Sequence, residues 1–511
     1  MVYEAGRDLV GIQALAAGGT MTSTIVLAAM LIGLVPGAAT VEAEAREILD
    51  ELLRVDTSHG NESAALRPVA ARLVKAGIPA EIVEASAGRG NLIARVRGNG
   101  SRKPVLLVAH VDVVPVEGQS WTTSPFIPTE RDGFLQARGV NDDKAMAAAF
   151  VAIALDVARS RIQLSRDLLL VLTAGEETAS PFGMPWLAKN RPELREAEIM
   201  LNEDGDLQLS ADGQRMEAVV VDVTEKVSTN FRFVVKGKGG HSSTPWTDRD
   251  PVRSLGKALV KVGEHRFPAR AIPSVREALG LAATRASAPL GPALRRAAEG
   301  SGVVAPEDEK LIAADPVLNA MIRTTCVVTM LQAAPAANIL PDTAEATTNC
   351  RLLPDEKPDV IRDELVKVIG DTEVEVRALD APQFAPVSPI NGEVTAAIRK
   401  ITRDLWGPAA VVQSMGTGGT DSRWLRPLGV KAYGIGRLPG TPEERRQGHW
   451  AHGADERRPS RWIPEYFRYV RGVVLELARR SVRPDRSPSR ASSTRGCTYL
   501  IRRRWLRSSS G

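Results

Sequence analysis

The chain predicts an α/β fold: a mostly parallel sheet domain interrupted by an inserted α+β domain of order βαββαβ. Three observations lead there. Continuous apolar runs such as Val105-Leu106-Leu107-Val108-Ala109 alternate with helical periodicity through the first part of the chain, as buried parallel strands alternate with crossover helices. Near Val221 the pattern changes to half-exposed strands, and after Pro382 the first pattern resumes. At 511 residues the chain also exceeds one ordinary core.

In chain order, an apolar run over 25–35 precedes Pro36-Gly37-Ala38-Ala39, small residues that fit a signal-peptidase site. Residues 1–40 are therefore expected to be a signal peptide with an extension ahead of Met21, and the protein to be exported, periplasmic or secreted. A cytoplasmic location follows if the segment is not a signal. The run falls short of the ~20 residues a membrane-spanning helix needs, so no stable membrane insertion is expected. The first sheet-domain segment, 41–222, opens with helices over 41–53 and 66–76, the second ended by Gly77. Strands at 91–96 and 105–109, an Ala-rich helix over 144–158 and a buried strand at 167–173 follow. The insert, 223–379, reads as a strand at 228–236, a helix over 251–262, strands at 325–332 and 345–353, a helix over 358–369 and a strand at 372–379. Within it, the Ala- and Pro-rich stretch 267–315 is an irregular or helical excursion. The returning segment, 380–480, carries helices over 393–405 and 465–478.

The formal charge of +5 is misleading about partners. Residues 481–511 hold eight Arg against one Asp, so the rest of the chain is slightly acidic. This basic, Ser-rich tail lacks the apolar surface to offset its ordering entropy and is expected to be disordered, and no nucleic-acid partner is expected. Cys326, Cys350 and Cys497 are too few and scattered for a disulfide framework or a zinc ribbon.

The chemistry lies in short motifs. His110 and Asp112 follow a buried strand at i, i+2, so both point to one side, where a neutral imidazole can bind metal and the carboxylate can take its other N–H. Asp142 and Asp143 sit before a helix; Asp143 reads as its N-cap, while Asp142 can bridge two cations as an imidazole cannot. Adjacent side chains diverge, so one of Glu176 and Glu177 can bind metal while the other serves as general base. Glu203 and Asp204 end a short apolar run, and spacing does not choose between them. Four of six His fall in these motifs: His110, His241, His449 and His452.

With His241-Ser242-Ser243-Thr244-Pro245, Gly419-Thr420-Asp421-Ser422-Arg423 and His452-Gly453-Ala454-Asp455-Glu456-Arg457, the motifs resemble those of the M20 metallopeptidase family over about 41–480, and within it the Gly-X carboxypeptidase and N-acyl-amino-acid hydrolase branch. The resemblance implies two zinc ions, replaceable by cobalt or manganese. His110 and Glu177 would hold separate ions, Asp142 would bridge them, and Glu203, chosen over Asp204, and His452 would complete the shells. Glu176 would be the base and Asp112 would orient His110. The insert would be a lid and homodimer interface, His241 reaching across the dimer to the oxyanion. Asn338, Arg351, Gly419 and Thr420 would hold substrate, Arg351 by two parallel bonds to a carboxylate.

The function expected is hydrolysis of the amide bond in a short peptide or N-acyl amino acid with a free carboxylate, of carboxypeptidase or dipeptidase type. Two alternatives remain: an aminoacylase-type amidohydrolase, and a non-catalytic binding protein on the same scaffold.

Overall fold

The computed structural model describes residues 40–479 except 179, 246–249 and 382, so the expected signal peptide and basic tail lie outside the described residues. Four strands at the centre of a nine-stranded sheet run parallel: Leu168–Thr173, Val105–His110, Ile199–Asn202 and Lys431–Gly434. Their apolar runs are continuous because both faces are covered. Val105, Leu107 and Ala109 pack on one side with helices Val41–Leu53, Lys144–Arg159 and Trp462–Ala478. Leu106 and Val108 pack on the other with Met184, Leu187 and Leu425. Side chains two apart share a face, so one strand feeds two cores.

Antiparallel strands extend the sheet at one edge, with Ala80–Glu84 beside Gly90–Val96. At the other edge Met216–Glu225 pairs with Ala410–Gly416 in parallel and with Asp206–Leu209 antiparallel. Sequence pattern does not anticipate Ala80–Glu84, Met216–Glu225 or Ala410–Gly416. The latter two carry polar residues inside that tertiary partners engage: Glu225 Oε2 accepts from Thr420 N at 2.8 Å, and Gln413 N donates to Glu277 Oε2 at 2.9 Å.

The chain passes to a second, four-stranded sheet at Lys226. This buried ammonium donates to the carbonyls of Ala320 (3.0 Å) and Arg323 (2.8 Å), and burial pushes its pKa down to about 7. The small sheet has spatial order Thr325–Gln332, Thr343–Leu352, Val227–Lys236, Val374–Ala378, all antiparallel, with helices Pro251–Glu264 and Pro358–Ile369 on one face around Phe231 and Phe233. This is the βαββαβ arrangement. Its register sets Cys326 opposite Cys350, and the two form a disulfide with Cα atoms 4.1 Å apart. One pair, Cys326 and Cys350, is thus joined, a contact the sequence reading did not foresee because it arises from strand register and not from spacing; Cys497 lies outside the described residues.

The excursion 267–315 also takes definite form. Helices Arg276–Arg285, Leu290–Glu299, Pro306–Ile312 and Pro316–Ile322 enclose their own core, to which Met415 of the large sheet contributes. The stretch inserted into the small sheet therefore docks on the large one.

Candidate functional site

The carboxyl ends of the central parallel strands meet on one side of the sheet, where open α/β sheets gather ligands. His110 is the last residue of its strand; Glu176 and Glu177 follow Leu168–Thr173, and Glu203 follows Ile199–Asn202. Asp142 enters from the loop before Lys144–Arg159, through a cis peptide to Asp143. His452 comes from a distant loop, in the left-handed region with φ +68°.

Asp142 lies between two sets of donors. Its Oδ1 is 3.1 Å from His110 Nε2, which in turn is 3.6 Å from Glu203 Oε2. Its Oδ2 is 3.4 Å from His452 Nε2, which is 3.0 Å from Glu177 Oε2. Ligand atoms of His110, Asp142 and Glu177 fall within 4.8 Å of one another, as do those of His110, Glu176 and Glu203. Imidazole nitrogen and carboxylate oxygen in this mixture suit a divalent transition metal, and the donor set fits two ions. Charge is already concentrated here. Burial and the neighbouring Glu203 charge raise the Glu176 carboxyl well above the usual range, and burial raises Glu177. Burial also disfavours ionised Asp142, but Arg437, His110 and His452 outweigh it and hold its carboxyl well below the ordinary value. Hydrogen bonds to Asp142 and Glu177 push His452 up to about 10.

Local contacts explain how these groups are held. Asp112 Oδ1 and Oδ2 accept from the backbone N–H groups of Glu176 and Glu177, each at 3.1 Å, and Oδ1 stands 3.6 Å from His110 Nδ1. Asp112 thus holds the two-glutamate turn through its carboxylate, while its backbone carbonyl, 3.0 Å from His110 Nδ1, holds the imidazole. A buried Arg138–Glu456 pair at 2.8 Å ties the His452 loop to the Asp142 loop: Arg138 Nη1 donates to Gly453 O, while Glu456 Oε1 accepts from Asn141 N at 2.8 Å. Gln119 adds a bond to His452 O at 2.8 Å. Lys144 caps the first helix by donating to Leu52 O (3.0 Å) and Val55 O (2.9 Å). Asp143 occupies the N-cap position, but its side chain makes no capping bond, and Oδ2 is buried without a partner. The N-cap reading thus holds for position and fails for chemistry: the first-turn N–H of Met146 is taken by the Asp143 carbonyl.

The expected substrate residues divide. Arg351 and Gly419 line a pocket of about 640 Å³ together with Asp142, Glu176, Glu177 and His452. A Cβ at Gly419 would lie 2.7 Å from Arg423 Nη1, so glycine lets that guanidinium approach, while Arg351 Nη1 stands at ordinary contact distance, 3.8 Å. Thr420 spends both its N–H (2.8 Å) and its hydroxyl (2.7 Å) on Glu225. His241 and Asn338 are exposed and line no part of this pocket: His241 pairs with Ile339 in a short ladder and its ring bonds Ser243, while the Asn338 carbonyl accepts from Ser242 N at 3.0 Å. Sequence reasoning missed Arg437, which reaches Asp142 (3.2 Å), Glu203 (2.9 Å) and Asp204 (2.8 Å), and gave no role to Arg423, the last residue of a quoted motif, which stands 3.7 Å from Glu176. Arg437 stands among glycines and prolines with no motif to mark it.

Comparison with known proteins identifies relatives in sequence and in fold. The chain is 25% identical over 356 residues to an N-fatty-acyl-amino acid synthase/hydrolase of Mus musculus, covering 67% of this chain and 69% of that protein. It is 26% identical over 329 residues to a probable carboxypeptidase S-like protein of Dictyostelium discoideum, covering 63% and 62%. In fold it is similar to an M20 family metallo-carboxypeptidase from Sulfolobus solfataricus, with TM-score 0.64 and 19% identity over 85% of this chain and 99% of that one. The model of peptidase family M20/M25/M40 matches residues 106–476, so the chain belongs to that family of hydrolases.

Proposed function

We propose that the chain is a two-zinc hydrolase that cleaves the amide of a short peptide or N-acyl amino acid bearing a free carboxylate. The placement of Asp142 between two imidazole–carboxylate sets carries this reading. His110 and Glu203 would hold one ion, His452 and Glu177 the other, with Asp142 serving both. Bound zinc supplies Lewis acidity toward the attacking water and the scissile carbonyl. Glu176, half-buried in the pocket beside Glu177 and Arg423, would accept the water proton and return it to the leaving nitrogen. Arg351 and Arg423 face the substrate carboxylate across Gly419. His241, exposed on the insert, would serve the site of a second copy, which makes the active unit a homodimer with the insert, 223–379, as lid. The names of the mouse and Dictyostelium relatives favour N-acyl amino acids and C-terminal peptides as the substrate classes. The Cys326–Cys350 disulfide supports export to an oxidising compartment; no helix among the described residues is long and apolar enough to cross a membrane.

Glu176→Gln tests the mechanism. The variant should keep about two zinc per chain while kcat falls by roughly 10² to 10⁴ on dipeptides and N-acyl amino acids. Undiminished turnover at full metal content would refute the assignment. Native protein that binds no zinc and releases no amino acid would favour a binding protein.

A further inference from the structure

The segment Arg89-Gly90-Asn91, where the strand Gly90–Val96 begins, lies against the turn that carries Glu176 and Glu177. It stands ahead of residues 106–476, over which the family model matches. Asn91, fully buried, ties Ala174 to Phe182: its Oδ1 accepts from Ala174 N at 3.0 Å, and its Nδ2 donates to Phe182 O at 2.9 Å. Arg89 meets the next residue, Gly175, which takes φ +69° and whose carbonyl accepts from Ser180 N at 2.8 Å. Arg89 Nη2 lies 2.7 Å from where a Cβ on Gly175 would stand, so the guanidinium packs directly on the backbone ahead of Glu176.

Glu62 holds Arg89 in this place. The Glu62 side chain has no exposed surface, and its Oε1 stands 2.9 Å from Arg89 Nη2. Neither Glu62 oxygen has a hydrogen-bond partner, so charge rather than a directed bond joins the pair. A buried ion pair of that kind is a poor source of stability, and its unpartnered oxygens call for another reason to keep it. The turn supplies one. Asn91 takes Ala174, Arg89 takes Gly175, and the Asp112 carboxylate takes the N–H groups of Glu176 and Glu177, so four consecutive residues are each gripped from outside the turn.

We infer that Arg89, held by Glu62, is a positioning residue for the hydrolytic step: it fixes the Gly175 backbone and with it the directions in which Glu176 and Glu177 leave the turn. The inference rests on the hydrolase reading above, which makes Glu176 the base and Glu177 a zinc ligand. Those two tasks need adjacent carboxylates to diverge by a set amount, and a displacement of about 1 Å at a reacting group can cost roughly 10²-fold in rate. Arg89 lines no part of the catalytic pocket, whereas Arg351 and Arg423 do, so its loss falls on kcat and on zinc affinity and not on KM.

The test uses two variants of the zinc-loaded protein that leave no buried charge unpaired. Arg89→Lys keeps the cation beside Glu62 but withdraws the planar group from Gly175; the double substitution Arg89→Met with Glu62→Gln removes both charges. kcat and KM are measured on the dipeptide or N-acyl amino acid that the native protein cleaves fastest, with melting temperatures and, by chelator competition, the affinity for each zinc. The double variant should lose roughly 10- to 100-fold in kcat and Arg89→Lys about fivefold or more, with KM within about twofold and one zinc held about tenfold less tightly. Undiminished kcat in both folded variants, or a rise in KM that accounts for the loss, overturns the positioning role and leaves the hydrolase standing. Full activity of Arg89→Lys beside an unfolded double variant assigns the pair to folding alone and overturns it too. A native protein that cleaves none of these substrates overturns the hydrolase, and the positioning role with it.

Discussion

Arg437 places one guanidinium against Asp142, Glu203 and Asp204, three carboxylates that repel one another in a buried space. In the metal-free protein it is the counter-charge at that corner of the site, and these acids hold it further above its already high ordinary pKa. Removing one member of a buried ion pair leaves the others uncompensated, at a cost of about 3–5 kcal/mol. Arg437→Met should therefore lose about that much stability to urea without metal and markedly less with zinc bound; equal losses in both states would contradict the role. Glu62 is a second buried acid, with Arg89 Nη2 at 2.9 Å from Oε1, yet burial dominates and pushes its carboxyl up to about 7. A carboxyl raised on folding favours the neutral form. Its contribution is complete below the unfolded value near 4.5 and is lost as pH rises through about 7. Glu62→Gln, neutral at every pH, should match native thermal stability near pH 5 and exceed it at pH 8.5, a difference that grows with pH in calorimetric scans. A constant difference would show that ionisation of Glu62 is not the cause.

Among the elements, the best-read ones are those whose pattern is local. The helices Lys144–Arg159 and Trp462–Ala478 and the strands Val105–His110 and Leu168–Thr173 carry uninterrupted apolar periodicity. Ala410–Gly416 does not, because Gln413 is tolerated inside only through bonds to Glu277 and Asn391 brought from elsewhere. The disulfide is likewise a property of paired elements. It joins Thr325–Gln332, a sheet-edge strand, to Thr343–Leu352 and closes a loop of 24 residues. On the chain-entropy account, a loop of that length stabilises by about 3 kcal/mol. The double substitution Cys326→Ser with Cys350→Ser should lower unfolding stability by that order, with the small sheet opening first in hydrogen exchange. Stability unchanged within ~0.5 kcal/mol would argue that the pair contributes nothing.

For the molecule as a whole, the site is assembled from distant segments: His452 faces Glu177 across 275 positions, and Arg437 meets Glu203 across 234. Sequence alone determined the α/β class and marked His110, Asp142, Glu176, Glu177, the pair Glu203–Asp204 and His452 as candidates, because each ends an apolar strand or stands beside a glycine turn, and such signals need only neighbours in the chain; the preference for Glu203 came from the family resemblance. It could not separate Asp112 as a support for the Glu176–Glu177 turn, detect Arg437, pair Cys326 with Cys350, or show that 276–322 folds into a helical wall against the catalytic sheet. Those were decided by tertiary structure. The reason is physical: periodicity records which face of an element is apolar, whereas counter-charges, cross-strand register and cavities depend on which faces meet, and the sum of packing over the whole chain settles that.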